Sequence, residues 1–276
     1  MPTKQEERLN YLIEVLKKET KQYENFEIPE NIEDKQILLR SLMNIRPPRE
    51  ISEEFLKIQD EYLKERAEQR GIVNLKDIKT IKEPINTKNI YSQKISVWQG
   101  DITRISCDAI VNAANSQMLG CFVPMHTCID NCIHTFAGIQ LRLKCNEIMN
   151  EFRRKYGINY EQPTSLPIIT DGYNLPAKKV VHIAGPIVNG SLTQENIEDL
   201  SNCYKNILNM CLENNLKSVA FCCISTGVFS FPNKKAAEIA VNTVTNWLDN
   251  NADKMDRIIF NVFKDEDKKY YEEFLL

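Results

Sequence analysis

The sequence contains no apolar run as long as a membrane span, and its first residues, MPTKQEERLN, include no apolar signal segment. It also lacks a basic run interleaved with aromatic residues, and its net charge is −3. These absences argue against a membrane protein, an exported protein and a protein whose main partner is nucleic acid. Without a lysine or arginine cluster, backbone amides and helix ends would have to hold any phosphorylated ligand. We expect a cytoplasmic protein.

Histidine is scarce and cysteine is plentiful, with three histidines and nine cysteines in 276 residues. In a chain without an export signal, these cysteines are most simply reduced thiols, some of them metal ligands. The length is sufficient for one large domain with an appended piece. A hydrophobic content of 42% and a charged content of 26% are ordinary for a globular protein.

Residues 1–90 are predicted to form a helical extension, which is more polar than the rest of the chain. The second of its three helices ends before Pro47, because proline cannot continue a helix. Ser52 is placed to cap the third helix, which ends near Gly71, and residues 72–90 form a polar connection. We find no catalytic chemistry in this extension. The apolar faces that indicate the three helices lie at 9–16, 37–43 and 55–63.

From residue 91 to residue 276, short apolar runs alternate with longer helical patterns. This alternation predicts a three-layer α/β sandwich. The cysteines on the apolar faces are interpreted as small core residues, as are Cys107 and Cys145. The predicted strands lie at 95–98, 180–183, 218–224 and 257–263, and the predicted helices at 200–211 and 236–247.

The chemistry of the chain is concentrated in residues 111–138, VNAANSQMLGCFVPMHTCIDNCIHTFAG. A strand is predicted to end at Ile110 and Val111, and a helix to begin at Ile129. The loop between them is polar and contains Gly120 and Pro124. A strand, a polar loop and a helix N-terminus together form a common framework for binding an anionic ligand.

Cys121, His126 and Cys128 have the spacing C-x4-H-x-C, close enough for one cation to contact all three. Thiolate and imidazole ligands favour zinc, and three ligands would leave a fourth position open for water or substrate. In a closed, structural site, Cys132 or His134 would be the fourth ligand. The third alternative is that no metal binds and the cysteines are buried thiols.

Ligands of α/β sheets bind beyond the carboxyl ends of the strands. Three segments are predicted to lie there: Asp101, the 112–130 loop and the loop STGVFSFP at 225–232. Small residues in the last loop would let backbone N–H groups approach a phosphate. By itself, a glycine in such a turn is a weak indication of an anion site.

Four segments resemble the macrodomain, a module that binds ADP-ribose: VNAANSQMLG, CIH at 132–134, TDGYNLPAKKVVHIAGP and ISTGVFSFP. The resemblance implies a three-layer α/β/α fold with a mixed central sheet over 91–276. The insert GCFVPMHTCIDNCIH resembles more narrowly the zinc-dependent, MacroD-related macrodomains of bacteria and fungi, which remove ADP-ribose from proteins. The stretch MNIRPPREISEEFLKIQDEYL in the extension is also similar to that subfamily. The resemblance covers nearly the whole chain.

The resemblance implies a role for each matching position. Asp101, with Ile102 beside it, would accept a hydrogen bond from the adenine amino group. Asn115 and Asp130 would be catalytic, positioning the distal ribose and the attacking water. Zinc would be bound by Cys121, His126 and Cys128. The diphosphate would be enclosed by Ser225, Thr226, Gly227, Val228 and Phe229, and Phe231 would border the distal ribose.

Two positions depart from the family pattern. Ser165-Leu166-Pro167 stands where related macrodomains usually have Gly-x-Ala, and Ser230 stands where many have glycine. The first departure concerns local loop geometry. The second concerns how the loop closes over the ligand.

Several of these side chains also have an ordinary structural interpretation. For Asn112 we favour a role in satisfying turn backbone over contact with a ligand. Asp130 could serve as a helix N-terminal charge, favoured by the helix dipole, and is ranked as catalytic because of the resemblance. We expect His134 to be hydrogen-bonded near the helix start, and His182 to lie on a strand.

The expected function is zinc-dependent hydrolysis of mono-ADP-ribose from modified protein side chains, with Asp and Glu as the expected linkage. A binding module that reads ADP-ribose without turnover is the first alternative. Deacetylation of O-acetyl-ADP-ribose is the second. The partners expected are ADP-ribose and an ADP-ribosylated protein, with the transferase that writes the mark as a further candidate.

Overall fold

The computed structural model describes residues 2–83 and 87–276. Residues 84–86 of the predicted 72–90 connection lie outside the described residues. The helices are α1 Lys4–Glu19, α2 Ile32–Ile45, α3 Glu53–Arg70, α4 Ile129–Ala137, α5 Ile139–Tyr156, α6 Gln194–Glu213, α7 Asn233–Asn251 and α8 Asp265–Leu275. The strands are β1 Val73–Asn74, β2 Ile95–Gln99, β3 Ile105–Ser106, β4 Ala109–Ala114, β5 Ile168–Asp171, β6 Lys179–Ala184, β7 Ser218–Phe221 and β8 Arg257–Val262.

A mixed sheet in the order β2-β8-β7-β4-β6-β5 forms the centre of the fold. In this order, the five strands from β2 through β6 are each parallel to the next, and the last strand, β5, is antiparallel to β6. Helices flank the sheet, so the predicted α/β sandwich with a mixed sheet is confirmed. The carboxyl ends of the five parallel strands therefore meet at one edge, where ligands of such sheets bind.

The three N-terminal helices are confirmed, and local signals explain their ends. The Ser52 hydroxyl accepts a hydrogen bond from the Phe55 amide at 3.2 Å and caps α3, and Gly71 follows its last residue with φ of 80°. The three helices bury a cluster of their own, which Ile139 of α5 joins. The boundary between residues 90 and 91 remains a prediction.

Some predicted elements differ from the structure. The run SVAFCCI is a strand only over β7, because the chain leaves the sheet after Phe221 and reaches a left-handed conformation at Ser225. Helices α5 and α8 and strand β5 were not predicted. No helix among residues 2–83 and 87–276 is long and apolar enough to cross a membrane.

Candidate active site

The predicted site residues converge on the edge formed by the strand carboxyl ends. Asp101 follows β2, Asn115 follows β4 and Ser225 follows β7 after a short turn. A β-carbon added to Gly185, just after β6, would lie 2.2 Å from the Ser225 hydroxyl oxygen. The segments that follow β6 and β7 thus meet beyond the end of β4, and glycine is required for this approach.

Cys121, His126 and Cys128 form a candidate metal centre. Their ligand atoms all lie within 4.8 Å of one another, and the Cys121 Sγ is 3.5 Å from the His126 Nδ1. All three residues are partly buried, and no fourth histidine, cysteine or carboxylate from the described part of the chain joins the group. Two sulfurs and one imidazole fit zinc, and three protein ligands fit an open site. Cys132 lies apart, with its Sγ 3.5 Å from the Arg40 Nη2.

Burial raises the pKa of the Cys128 thiol to about 12, and the neighbouring Cys121 adds to this rise. Without a cation the thiol therefore keeps its proton at neutral pH. A bound metal would displace that proton, since only thiolate is a good ligand. The same thiol caps α4, because its Sγ accepts a hydrogen bond from the Asn131 amide at 3.4 Å.

Tight turns shape the metal loop, which we define as residues 119–128. Gly120 has a φ of 81°, and a β-carbon there would lie 2.8 Å from the His134 ring. Met125, next to His126, also has a left-handed φ of 57°. Few residues other than glycine adopt this conformation without strain, so other contacts must hold Met125 in it.

Asp130 is buried on the first turn of α4, with 4% of its surface exposed. Its carboxylate accepts a hydrogen bond from the Asn112 Nδ2 at 2.8 Å and lies 3.5 Å from the His134 Nε2. Burial raises its pKa to about 6, against the opposing effect of the Asn112 hydrogen bond. A carboxyl with such a pKa can exchange a proton near neutral pH.

Two buried histidines lie beside this carboxyl. His182 lies on β6 as expected, 3.0 Å from both the Asn112 Nδ2 and the Thr170 Oγ1. The expectation that His134 is hydrogen-bonded is wrong, because neither ring nitrogen has a hydrogen-bond partner among the described residues. Burial lowers the pKa of His182 to about 3 and that of His134 well below its usual value, so both rings are neutral.

Asn112 and Asn115 have different surroundings in the structure. Asn112 lies within β4, so its side chain faces the buried polar cluster and not a turn. Asn115 follows the strand end, where its Oδ1 accepts from the Gln117 amide at 3.0 Å and its Nδ2 donates to the Gly120 carbonyl at 3.3 Å. The turn interpretation of Asn112 is therefore wrong. Asn115 is connected directly to the residue that precedes Cys121.

Asp101 is paired with Arg70, the last residue of α3. Its carboxylate also accepts from the Thr103 amide at 2.9 Å and from the Thr103 hydroxyl at 2.6 Å. The Arg70 guanidinium lies 3.4 Å from the centre of the Phe136 ring, a cation–π contact. The Ile102 side chain is buried in the core, and its carbonyl accepts a hydrogen bond from the Ile105 amide.

The loop from Ser225 to Phe229 has the form of an anion-binding turn. The amides of Gly227, Val228 and Phe229 have no hydrogen-bond partner within residues 2–83 and 87–276. Val228 is 79% exposed, so this part of the loop faces solvent. Free amides on an exposed turn can donate to phosphate oxygens.

Phe231, which was expected to border the distal ribose, is almost fully buried. Its side chain is 1% exposed and belongs to the core. The amide of Phe231 donates to the Ser225 carbonyl at 3.0 Å, which draws the residue inward at the end of the loop.

Arginines of the helices that surround the metal loop were not predicted. The sequence offers no signal for Arg40, Arg70 or Arg142, because their partners lie far away in the chain.

An α/β sheet with free amides and polar side chains at its carboxyl edge is typical of proteins that bind anionic ligands there. The Macro domain family matches residues 111–240 of the chain. A protein of Treponema medium named Protein-ADP-ribose hydrolase is 50% identical over 267 residues, 97% of each chain. A protein of the same name from Staphylococcus aureus strain Mu50 is 43% identical over 269 residues, 97% of this chain and 95% of the relative.

Solved structures give the same result. The Trypanosoma brucei macrodomain in complex with ADP-ribose matches with a TM-score of 0.63 and 27% identity, over 85% of this chain and 94% of that one. The Oceanobacillus iheyensis macrodomain with ADP matches with a TM-score of 0.58 and 33% identity, over 66% of this chain and 90% of that one. The chain belongs to the macrodomain family, and its relatives at 43–50% identity include proteins named protein-ADP-ribose hydrolase.

Proposed function

We propose that this protein is a zinc-dependent hydrolase that removes mono-ADP-ribose from modified protein side chains and releases free ADP-ribose. Relatives that match nearly the whole chain carry the name Protein-ADP-ribose hydrolase. The observation that carries the metal part of the proposal is the convergence of Cys121, His126 and Cys128 within 4.8 Å. This group lies in the loop that joins Asn115 to α4, at the proposed ligand-binding edge.

The donor chemistry supports zinc over magnesium or calcium, which take oxygen ligands. When bound, zinc supplies a Lewis acid with one position open to substrate. Because a structural site is normally closed by four protein ligands, three ligands favour a catalytic role.

The chain's own residues would hold the nucleotide. The Asp101 carboxylate would accept from the adenine amino group, and the Ile102 backbone lies beside it. The free amides of Gly227, Val228 and Phe229 would donate to the diphosphate oxygens, with Ser225 and Thr226 forming the start of the turn. This arrangement needs no cluster of basic side chains, in agreement with the charge pattern.

Asn115 and Asp130 are proposed as the catalytic pair. The Asn115 amide would exchange its bond to the Gly120 carbonyl for a ribose hydroxyl and so orient the distal ribose. Asp130, whose pKa burial raises to about 6, would accept a proton from the attacking water. The water oxygen forms the new bond to ADP-ribose, and the side chain leaves as the linkage breaks. For an acidic side chain the leaving group is a carboxylate, a good leaving group, which supports acidic linkages.

The alternative is a reader that binds ADP-ribose without turnover. The enclosure of Asp130 favours it, because a carboxyl that is 4% exposed and bonded to Asn112 also suits a purely structural role. In such a binding protein, zinc would only stabilise the conformation of the metal loop.

A single assay separates the two functions. The protein is incubated with a mono-ADP-ribosylated protein, and both free ADP-ribose and ADP-ribose affinity are measured on one preparation. Repeated turnover supports the hydrolase, whereas binding without release supports the reader. Substrates modified on glutamate, serine or arginine, compared in parallel, test the acidic linkage.

Two further proposals concern cellular context. All nine cysteines are free, which suits a reducing compartment such as the cytoplasm. The ADP-ribosyltransferase that modifies the substrate protein is proposed as a partner, since the transferase and the hydrolase act on the same protein. Co-purification with a candidate transferase would test this association.

A further inference from the structure

Helix α2 contacts the metal loop through Asn44, which is 1% exposed. The Asn44 Oδ1 accepts a hydrogen bond from the Met125 amide at 3.0 Å, and its Nδ2 donates to the Thr135 hydroxyl at 3.0 Å. Met125 has the left-handed φ of 57° and precedes the ligand His126. Asn44 therefore holds the backbone at the turn that directs His126 toward Cys121.

Arg40, one turn earlier on α2, contacts the same loop. Its Nη2 lies 2.9 Å from both the His126 carbonyl oxygen and the Asn131 Oδ1. The Asn131 side chain in turn donates from Nδ2 to the Val123 carbonyl at 2.9 Å and to the Cys121 carbonyl at 3.4 Å. One guanidinium thus fixes the backbone of His126 directly and that of Cys121 through Asn131.

Arg142 joins the end of α2 to the other end of the metal loop. Its Nη1 donates to the carbonyls of Met43, Asn44 and Arg46 at 2.6–3.1 Å. Its Nε donates to the Leu119 carbonyl at 2.8 Å, and its Nη2 lies 3.4 Å from the Cys121 carbonyl. Arg142 is 5% exposed, and a buried cation with these partners is a rigid connection.

We infer that α2 supports the metal centre. Arg40 and Asn44 are positioning residues that hold the metal loop in the conformation that binds zinc, and Arg142 connects α2 to that loop. The inference rests on the proposed zinc site. The physical reason is that a loop ordered in advance loses less conformational entropy when its three ligands close on an ion. Groups that orient metal ligands typically change metal affinity by about 10- to 100-fold when they are removed.

The N-terminal helices therefore have a role that the sequence did not suggest. The extension contains none of the three ligands, yet its Arg40 and Asn44 side chains position the backbone of the loop that contains them. Loss of these contacts is expected to weaken zinc binding more than it weakens ADP-ribose binding. The free amides at 227–229 belong to a different loop.

The test uses the full chain with Arg40→Met and Asn44→Leu, which remove the polar contacts and keep similar side-chain volume. Arg66→Met is the matched control for Arg40→Met, because Arg66 of α3 and Arg40 line one cavity between α2 and α3, but Arg66 donates to Gln69 of its own helix. Zinc affinity is measured by competition with a chromophoric chelator, and Co²⁺ absorption reports the ligand geometry. Thermal unfolding of the metal-free proteins separates a metal effect from a folding effect.

We expect Arg40→Met and Asn44→Leu to weaken zinc binding by about 10- to 100-fold, with Arg66→Met at the wild-type value. Arg40→Lys is expected to recover part of the loss, because lysine keeps a donor near the His126 carbonyl. If both variants bind zinc as tightly as wild type, α2 has no part in the metal centre, and the proposed hydrolase stands. If the wild-type protein itself does not compete for zinc, the inference and the zinc part of the proposed function fail together.

Discussion

Replacement of Asp130 with asparagine is expected to stabilise the metal-free protein at neutral pH while it removes hydrolysis. Burial raises the pKa of this carboxyl from 3.8 to about 6, so ionising it costs more in the folded protein than in the unfolded chain. One pKa unit corresponds to about 1.4 kcal/mol, so the full rise amounts to about 3 kcal/mol. Asparagine carries no charge and can still accept the hydrogen bond from the Asn112 side chain.

The sign of the pH dependence follows from proton binding. Between pH 3.8 and about 6 the folded protein keeps a proton on Asp130 that the unfolded chain has released. The free energy of unfolding of the wild type therefore falls as pH rises through this window, relative to that of Asp130→Asn. The variant is expected to gain up to about 3 kcal/mol above the window and nothing below it. This gain is an upper value, because the α4 dipole favours the charged carboxylate.

Urea unfolding of zinc-free wild type and Asp130→Asn, at neutral pH and at about pH 3, below the window, measures this gain. Asp256→Asn is the control. Asp256 is exposed, so folding does not remove its carboxylate from water, and its replacement is expected to bring no gain at neutral pH. Equal stability of wild type and Asp130→Asn at neutral pH would refute the argument from burial. If the Asp130→Asn variant still hydrolyses the substrate, Asp130 has only a structural role.

Three further predictions concern the metal and the nucleotide. Cys128→Ala is expected to lose bound zinc and hydrolysis yet remain folded, whereas Cys132→Ala should keep its zinc. Metal analysis and circular dichroism check both variants, and zinc retained in Cys128→Ala would contradict the ligand set. Gly185→Ala is expected to weaken ADP-ribose binding and to cost about 1–3 kcal/mol of stability, because its β-carbon would lie 2.2 Å from the Ser225 hydroxyl. Calorimetry measures the binding and urea unfolding the stability; wild-type values in both would show that the loop has room for the methyl group. Asp101→Asn is expected to bind ADP-ribose about tenfold more weakly, by loss of a charged acceptor; unchanged affinity in calorimetry would remove Asp101 from the adenine site.

Local patterns were sufficient for much of the fold. Ser52 and Gly71 mark the ends of α3 because capping depends on a few neighbouring residues. Short apolar runs identified β2, β6 and β8. The continuous apolar run that contains β7 is typical of a strand covered on both faces, and all four residues of β7 are buried. The antiparallel edge strand β5 was missed because it is short and only partly buried. Helix α5 was missed because it follows α4 after the single residue Gly138.

The candidate site was predictable where its residues are close in sequence. Cys121, His126 and Cys128 lie within one short loop, so their spacing alone indicated that they meet. The place of Asn112 within a strand could not be predicted, because it depends on where β4 ends. The contacts of the surrounding arginines were invisible, since Arg40 reaches residues that lie 86–92 positions away.

The most direct test of the account measures metal content and ADP-ribose release on the same sample, before chelation, after chelation and after zinc is added back. We predict about one zinc ion per chain at the start, as one three-ligand site requires. Release should be lost with the metal and restored with it. Undiminished release of ADP-ribose by a sample verified to be free of zinc would contradict the claim that the Cys121, His126 and Cys128 centre is catalytic.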